Sequence, residues 1–334
     1  MSGPARSRVA WSWSMFGFGV VLAVPPATIA FLDSTLAFAM AVGMIPAAVI
    51  RMAPNRSRRW VTVIMGGSAA ASMVLGSLLH QVPVLAVVVL LLLGFVAPLW
   101  AARSRVGGLV MALVLPLTGV GLSVPSVGAG LAIASLMLGG AAYAWVVSLL
   151  WPERPESPRP APAVSSRRDQ LVYGVLLGSA GAVAATTAFV LGMEHVGWVT
   201  GACLLVMRPT RAMLFRRSAG RALSVLVGAF LAAVFAEWSP TVAVSAVAIV
   251  LAVAAATATQ GSYWYVTPGF TTFLALSLIL STGAGTPVGR FNERVGETLL
   301  GVGIALVFGW AVPSLVQLSA SRRVRSLGPQ RSEE

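Results

Sequence analysis

Arg294 and Glu297 stand three residues apart at the head of an apolar run, a spacing that puts guanidinium and carboxylate on one helical face. An ionisable group inside a membrane span is costly and marks a functional candidate. Glu297 is therefore a candidate for taking up and releasing a proton. A glutamate near a helix N-terminus also offsets the macrodipole and pairs with a nearby arginine, which is the structural alternative. Arg59 and Arg221 each precede an apolar run, where a guanidinium can receive a carboxylate in bidentate fashion or bind lipid phosphate. Arg208, beside Pro209, faces the same two readings. Trp198 and Trp264 are the rings to test for stacking on an aromatic substrate, although Tyr263, Trp264 and Tyr265 together also fit an interfacial aromatic belt. His80 and His195 fall at loop ends, where a solvated side chain is expected. No Ser/His/Asp set and no paired carboxylates suggest enzyme chemistry, so neither a catalytic residue nor a cofactor or metal is expected.

These residues sit in a chain that water cannot solvate. Mean hydropathy is +0.86 and only 10% of positions are charged, against about 25% in soluble domains. All 23 basic residues are arginine, so a phosphate-binding loop that needs lysine is excluded. The single cysteine, Cys203, excludes an internal disulfide and reads as a packed core thiol.

Twelve apolar stretches approach the length of about 20 residues that a spanning helix needs. They lie near 15–32, 35–50, 60–79, 82–101, 106–124 and 127–150, then 171–191, 195–207, 221–236, 241–259, 263–282 and 294–318. Arg59 with Arg221, Gly66 with Gly228, Pro125 with Pro287 and Gly139 with Gly301 are each 162 positions apart. The expected fold class is thus all-α, a polytopic membrane protein of about twelve transmembrane helices arranged as two parallel six-helix repeats, with a transport path at their seam. The expected units are a first repeat over 1–150, a proline-rich cytoplasmic linker over 151–170, a second repeat over 171–320 and a basic cytoplasmic tail over 321–334.

With the N-terminus inside, 21 of the 23 arginines fall on the cytoplasmic side and only Arg290 and Arg294 outside. The expected location is the cytoplasmic (plasma) membrane, multi-pass, with both termini cytoplasmic and the first apolar segment a retained helix. The net charge of +13 then reflects orientation and affinity for anionic headgroups. The lipid bilayer is the expected partner, with no nucleic acid and a possible homo-oligomer.

The second span of each half is short and ends at a proline, Pro46 and Pro209, which points to unwound backbone lining a cavity or to arginines extending the helix into the interface. Gly174, Gly178 and Gly181 lie in a register that brings helices close in lipid. Gly139, Gly140, Gly301 and Gly303 suggest that the last spans of the two halves meet at the centre.

From Trp198 the chain runs through Pro209 and a basic cluster to Arg221, Ser224, Val225 and Gly228, and the last span opens with Arg294, Glu297, Thr298 and Gly301. These stretches resemble the fusaric acid resistance protein-like (FUSC) membrane domain, or aromatic acid exporter family, whose patterns are RxxGTxxG and RxxDTxxG. Here Ser224 and Val225 stand for Gly and Thr, and Glu297 for Asp. The first half joins the resemblance through Arg59, Thr62 and Gly66. The resemblance implies a secondary transporter that exports small organic anions such as aromatic carboxylates, with proton coupling as one driving force. A passive anion channel, a major-facilitator-type transporter and a non-transporting scaffold subunit remain the alternatives on the residues alone.

Overall fold

The computed structural model describes residues 10–49, 52–103, 105–153, 166–262, 266–283 and 285–314, without the side chains of 105–107 and 109–112. Trp264, most of the linker and the basic tail lie outside the described residues. Within them every regular element is helical: α1 Trp13–Leu22, α2 Val24–Ile29, α3 Ser34–Val49, α4 Val61–His80, α5 Pro83–Ala101, α6 Arg105–Gly121, α7 Val127–Leu150, α8 Arg167–Val190, α9 Val196–Val206, α10 Arg211–Glu237, α11 Val242–Ala258, α12 Thr267–Ser281 and α13 Pro287–Leu306. A π-helical turn, Val307–Ala311, continues α13.

Six segments are long and apolar enough to cross a bilayer: Arg56–His80, α5, α7, α8, α10 and Pro287–Ser314. The shorter apolar helices, among them α3, α9, α11 and α12, run from 10 to 17 residues. The chain is therefore an all-helical membrane protein.

Side-chain caps and prolines set several starts. Ser12, Ser126 and Ser166 accept from main-chain N–H groups in the first turns of α1, α7 and α8, and Thr286 does so for α13, which opens on Pro287. Two starts fall earlier than hydropathy indicates. α10 begins at Arg211 instead of 221, and α13 at Pro287 instead of 294. Hydropathy places a span at its first apolar residue, whereas these helices begin earlier and run through polar positions, some of which the fold buries. Arg221, Arg290 and Arg294 consequently lie inside helices and are buried. Arg221 is ten residues into α10 and does not head it.

α3 runs through Pro46 to Val49, correcting the expected stop, with Pro46, Ala47 and Ala48 buried. α9 does end early, at Val206, and the extended Met207 leads to Pro209 as expected.

The packing partners recur across the chain. α4 packs on α6 and α7, as α10 packs on α12 and α13; α3 packs on α7, as α9 packs on α13. α6 meets α9 and α12 meets α3, while α5 meets α8 and α11 meets α1. Two main cores result, each drawing on both sides of the linker. One is built mainly from α5, α6, α8, α9 and α13, with Leu79 of α4 and Leu214 of α10, the other from α1, α2, α3, α7, α11 and α12. The α5–α8 contact depends on glycine: a Cβ on Gly94 would lie 2.5 Å from the Gly178 Cα, and one on Gly174 2.6 Å from the Phe95 carbonyl. Gly181 faces Leu204 of α9 instead. Gly140 seats α7 on Gly43 of α3, and Gly301 seats α13 on Val199 and Cys203 of α9. Gly140 and Gly301 thus meet α3 and α9, while Gly139 and Gly303 face open space, which corrects their expected central meeting.

Candidate functional site

α9 is buried along nearly its whole length, and Cys203 is core as expected, its thiol 3.6 Å from the Ala180 carbonyl. α13 lies against it with a buried stripe of Arg290, Arg294, Glu297, Thr298, Gly301, Val302 and Ala305. That stripe follows helical spacing, but its N-terminal half is ionic where a packed helix is ordinarily apolar. Gly301 brings the two backbones together, so the charged residues of α13 fall beside the first turn of α9.

There the Arg294 Cζ lies 4.1 Å from the centroid of the Trp198 ring. The same ring stacks on His195, with centroids 4.2 Å apart and planes 14° from parallel. Trp198 is thus engaged by two protein groups and is not a free platform for a substrate ring. Arg221 reaches the cluster from α10, within Coulombic range of Arg294. Glu297 is 4% exposed, within Coulombic range of Arg294, and the His195 main-chain N–H donates toward its carboxylate. The Arg221 Nε and the Glu297 Oε2 are buried without hydrogen-bond partners. Two buried guanidinium groups thus lie near one another, with the Glu297 carboxylate beside Arg294.

A second layer sits one turn earlier on α13. Arg290 donates to Glu194 through Nη1 at 2.7 Å and Nη2 at 2.9 Å, and to Glu293 at 2.7 Å. The His195 Nδ1 lies 2.9 Å from the other Glu293 oxygen. The bond to Arg290 holds the Glu194 carboxyl below the usual carboxylate range, with burial opposing. The ligand atoms of Glu194, His195 and Glu293 lie within 4.8 Å of one another, spacing that suits a metal ion. Arg290 already pairs with both carboxylates, so the group reads as an ion-pair network.

The other expected residues stand apart. Arg59 is fully buried and donates to the carbonyls of Ser148, Trp151, Pro152, Ala53 and Pro54, tying the C-terminus of α7 to the start of α4. Its guanidinium serves the main chain, unlike that of Arg221. Arg208 lies at the opposite end of α9 from Trp198, where it donates to the Met207 carbonyl beside the Tyr173 hydroxyl. Burial holds Arg208 below its ordinary value, with Tyr173 opposing. His195, read from sequence as solvated, is largely buried.

The network of Glu194, His195, Arg290 and Glu293 was not anticipated. The one local signal for it was Thr286–Pro287, an N-cap and first-turn pair that places Arg290 and Glu293 inside a helix.

Residues 182–308 match the family model for fusaric acid resistance protein-like proteins. The matched stretch contains Trp198, Arg221, Arg294 and Glu297 and excludes Arg59. No curated protein and no solved structure matches the chain. The resemblance carried by Trp198–Gly228 and Arg294–Gly301 is thus borne out over the second half.

Proposed function

We propose, from that family match, that the chain is a secondary transporter exporting small organic anions, aromatic carboxylates among them, through a site formed by α9, α10 and α13. One observation carries the reading: Arg221 and Arg294 are buried guanidiniums within Coulombic range of one another, and the Arg221 Nε has no hydrogen-bond partner. A buried unpaired cation is expensive, and a substrate carboxylate between the two guanidiniums removes the cost with charge-assisted hydrogen bonds. Glu297 is the resident anion. While ionised it neutralises Arg294; once protonated it leaves both arginines to the substrate. Proton and substrate are then bound together and move the same way, so export runs down the anion's own outward gradient and a pH gradient changes its rate. The Arg290–Glu194–Glu293 layer closes the outer side of the site, and opening it requires those ion pairs to part.

Twelve crossings in two parallel repeats, with both termini in the cytoplasm, fit this reading. The matched packing partners and the two mirrored cores support the repeat. The arginine distribution supports the orientation.

Purified protein in vesicles, assayed for flux of labelled aromatic acids with and without a pH gradient, tests the proposal. The wild type is expected to respond to the gradient, and Glu297→Gln to transport with no response. Arg221→Gln is expected to lower flux about tenfold or more, the loss of one charge-assisted bond. Gradient-independent flux in the wild type identifies passive conduction; no flux of any anion removes the transport reading.

A further inference from the structure

A groove of about 670 Å³ runs along the membrane-facing side of α10, walled by Leu223, Val227 and Leu231 on one side and Leu251 on the other, with Phe270 and Phe273 beneath. It exists because α10 and α11 each pack on α12 but scarcely touch one another, whereas their counterparts α4 and α5 are in contact. Its wall residues Leu223, Val227, Leu231 and Leu251 are each about half exposed. Along α10 it extends from Gly220 to Trp238, about 27 Å at the helical rise, so the half nearer Gly220 matches one leaflet, about half of a hydrocarbon core of about 30 Å. Arg216 lies one turn before Gly220 on the same helical face and is exposed.

We propose that this groove binds an anionic phospholipid, with an acyl chain along α10 and the headgroup phosphate on Arg216. The inference stands apart from the transport site: Arg221, although adjacent to Gly220, is buried on the inner side of the helix. The lining is apolar and concave, so it accepts a narrow unbranched chain, and the cation stands at the end where a headgroup must lie. A second copy fits less well. Two α10 helices meeting about an axis along the membrane normal would bring Arg216 against Arg216, in a protein whose net charge is already +13.

The full chain in neutral detergent, mixed with phosphatidylglycerol and phosphatidylcholine of identical acyl chains, tests the proposal by native mass spectrometry. The wild type is expected to retain one phosphatidylglycerol about fivefold over phosphatidylcholine, the discrimination of one arginine near a membrane surface. Arg216→Gln is expected to keep a bound lipid but lose the preference. Val227→Trp and Leu251→Trp, which fill the groove from opposite walls at exposed positions, are each expected to lose both lipids. Equal retention of the two lipids by the wild type overturns the proposal. So does undiminished retention in both tryptophan variants, or a dimer that those variants disperse.

Discussion

The Arg294 Cζ sits 4.1 Å from the centroid of Trp198 while that indole stacks on His195, so one ring fixes the side chain of a buried cation and ties it to the loop after α8. A cation–π contact shielded from water contributes roughly 2 kcal/mol. Trp198 acts by positioning Arg294. Trp198→Leu is therefore expected to lower the flux of aromatic and aliphatic carboxylates alike, each by about tenfold or more. A loss confined to aromatic substrates in a vesicle assay would instead make the indole a stacking partner.

Arg59 and Arg221 stand 162 positions apart in sequence but do not share a role. Arg59→Ala leaves the buried Ser148 carbonyl and several part-buried ones at the α7–α4 junction without donors, at a cost of about 3 kcal/mol. Thermal unfolding in detergent should show a clear drop in Tm, while flux per folded molecule stays at the wild-type level. Reduced flux with unchanged stability would return Arg59 to the transport path.

Glu194 gives the outer network a pH dependence of definite sign. Its carboxyl is held below the ordinary range by Arg290, so the ion pair adds stability above the unfolded pKa, and that stability is lost as pH falls through the lowered folded value. The Glu194 side chain is 62% exposed, so the effect is small. The wild type should lose slightly more Tm than Glu194→Gln on moving from pH 6 to below the usual carboxylate range, about pH 4. Parallel profiles for the two proteins would show that the pair contributes nothing to stability.

The backbone approach of α5 and α8 gives the sharpest packing prediction. Gly178→Val must push Leu91 and Phe95 aside and is expected to destabilise by about 2 kcal/mol or more. Gly139→Val, whose Cβ meets open space, should change stability by less than about 0.5 kcal/mol. Similar unfolding temperatures for the two variants would show that α5 and α8 can separate at little cost.

The places of the helices were legible because an apolar run flanked by arginine, glycine or proline is a local signal. So was the shared face of Arg294 and Glu297, three residues apart. Glycine spacing in α8 correctly marked close packing, although one face serves α5 through Gly174 and Gly178 while Gly181 serves α9. Arg221 was placed at a helix end because hydropathy discounts polar residues, and only a fold that buries one face of α10 can draw an arginine inward. The Arg290–Glu194 bond joins residues 96 apart and leaves no spacing to read. Nor did any spacing reveal that each interior borrows helices from both sides of the linker.

That borrowing constrains how the molecule can be made. Ser12 reaches the carbonyl of Ala258, and Gln260 bonds Ala48 across 212 residues. The earliest helices to leave the ribosome, α1 to α3, cannot complete their surroundings until α11 and α12 have been synthesised. During that interval their inward faces stay open to lipid and to the insertion machinery. Maturation is therefore a late, chain-wide event, and two polypeptides cut at the linker would each carry half of two unfinished interiors.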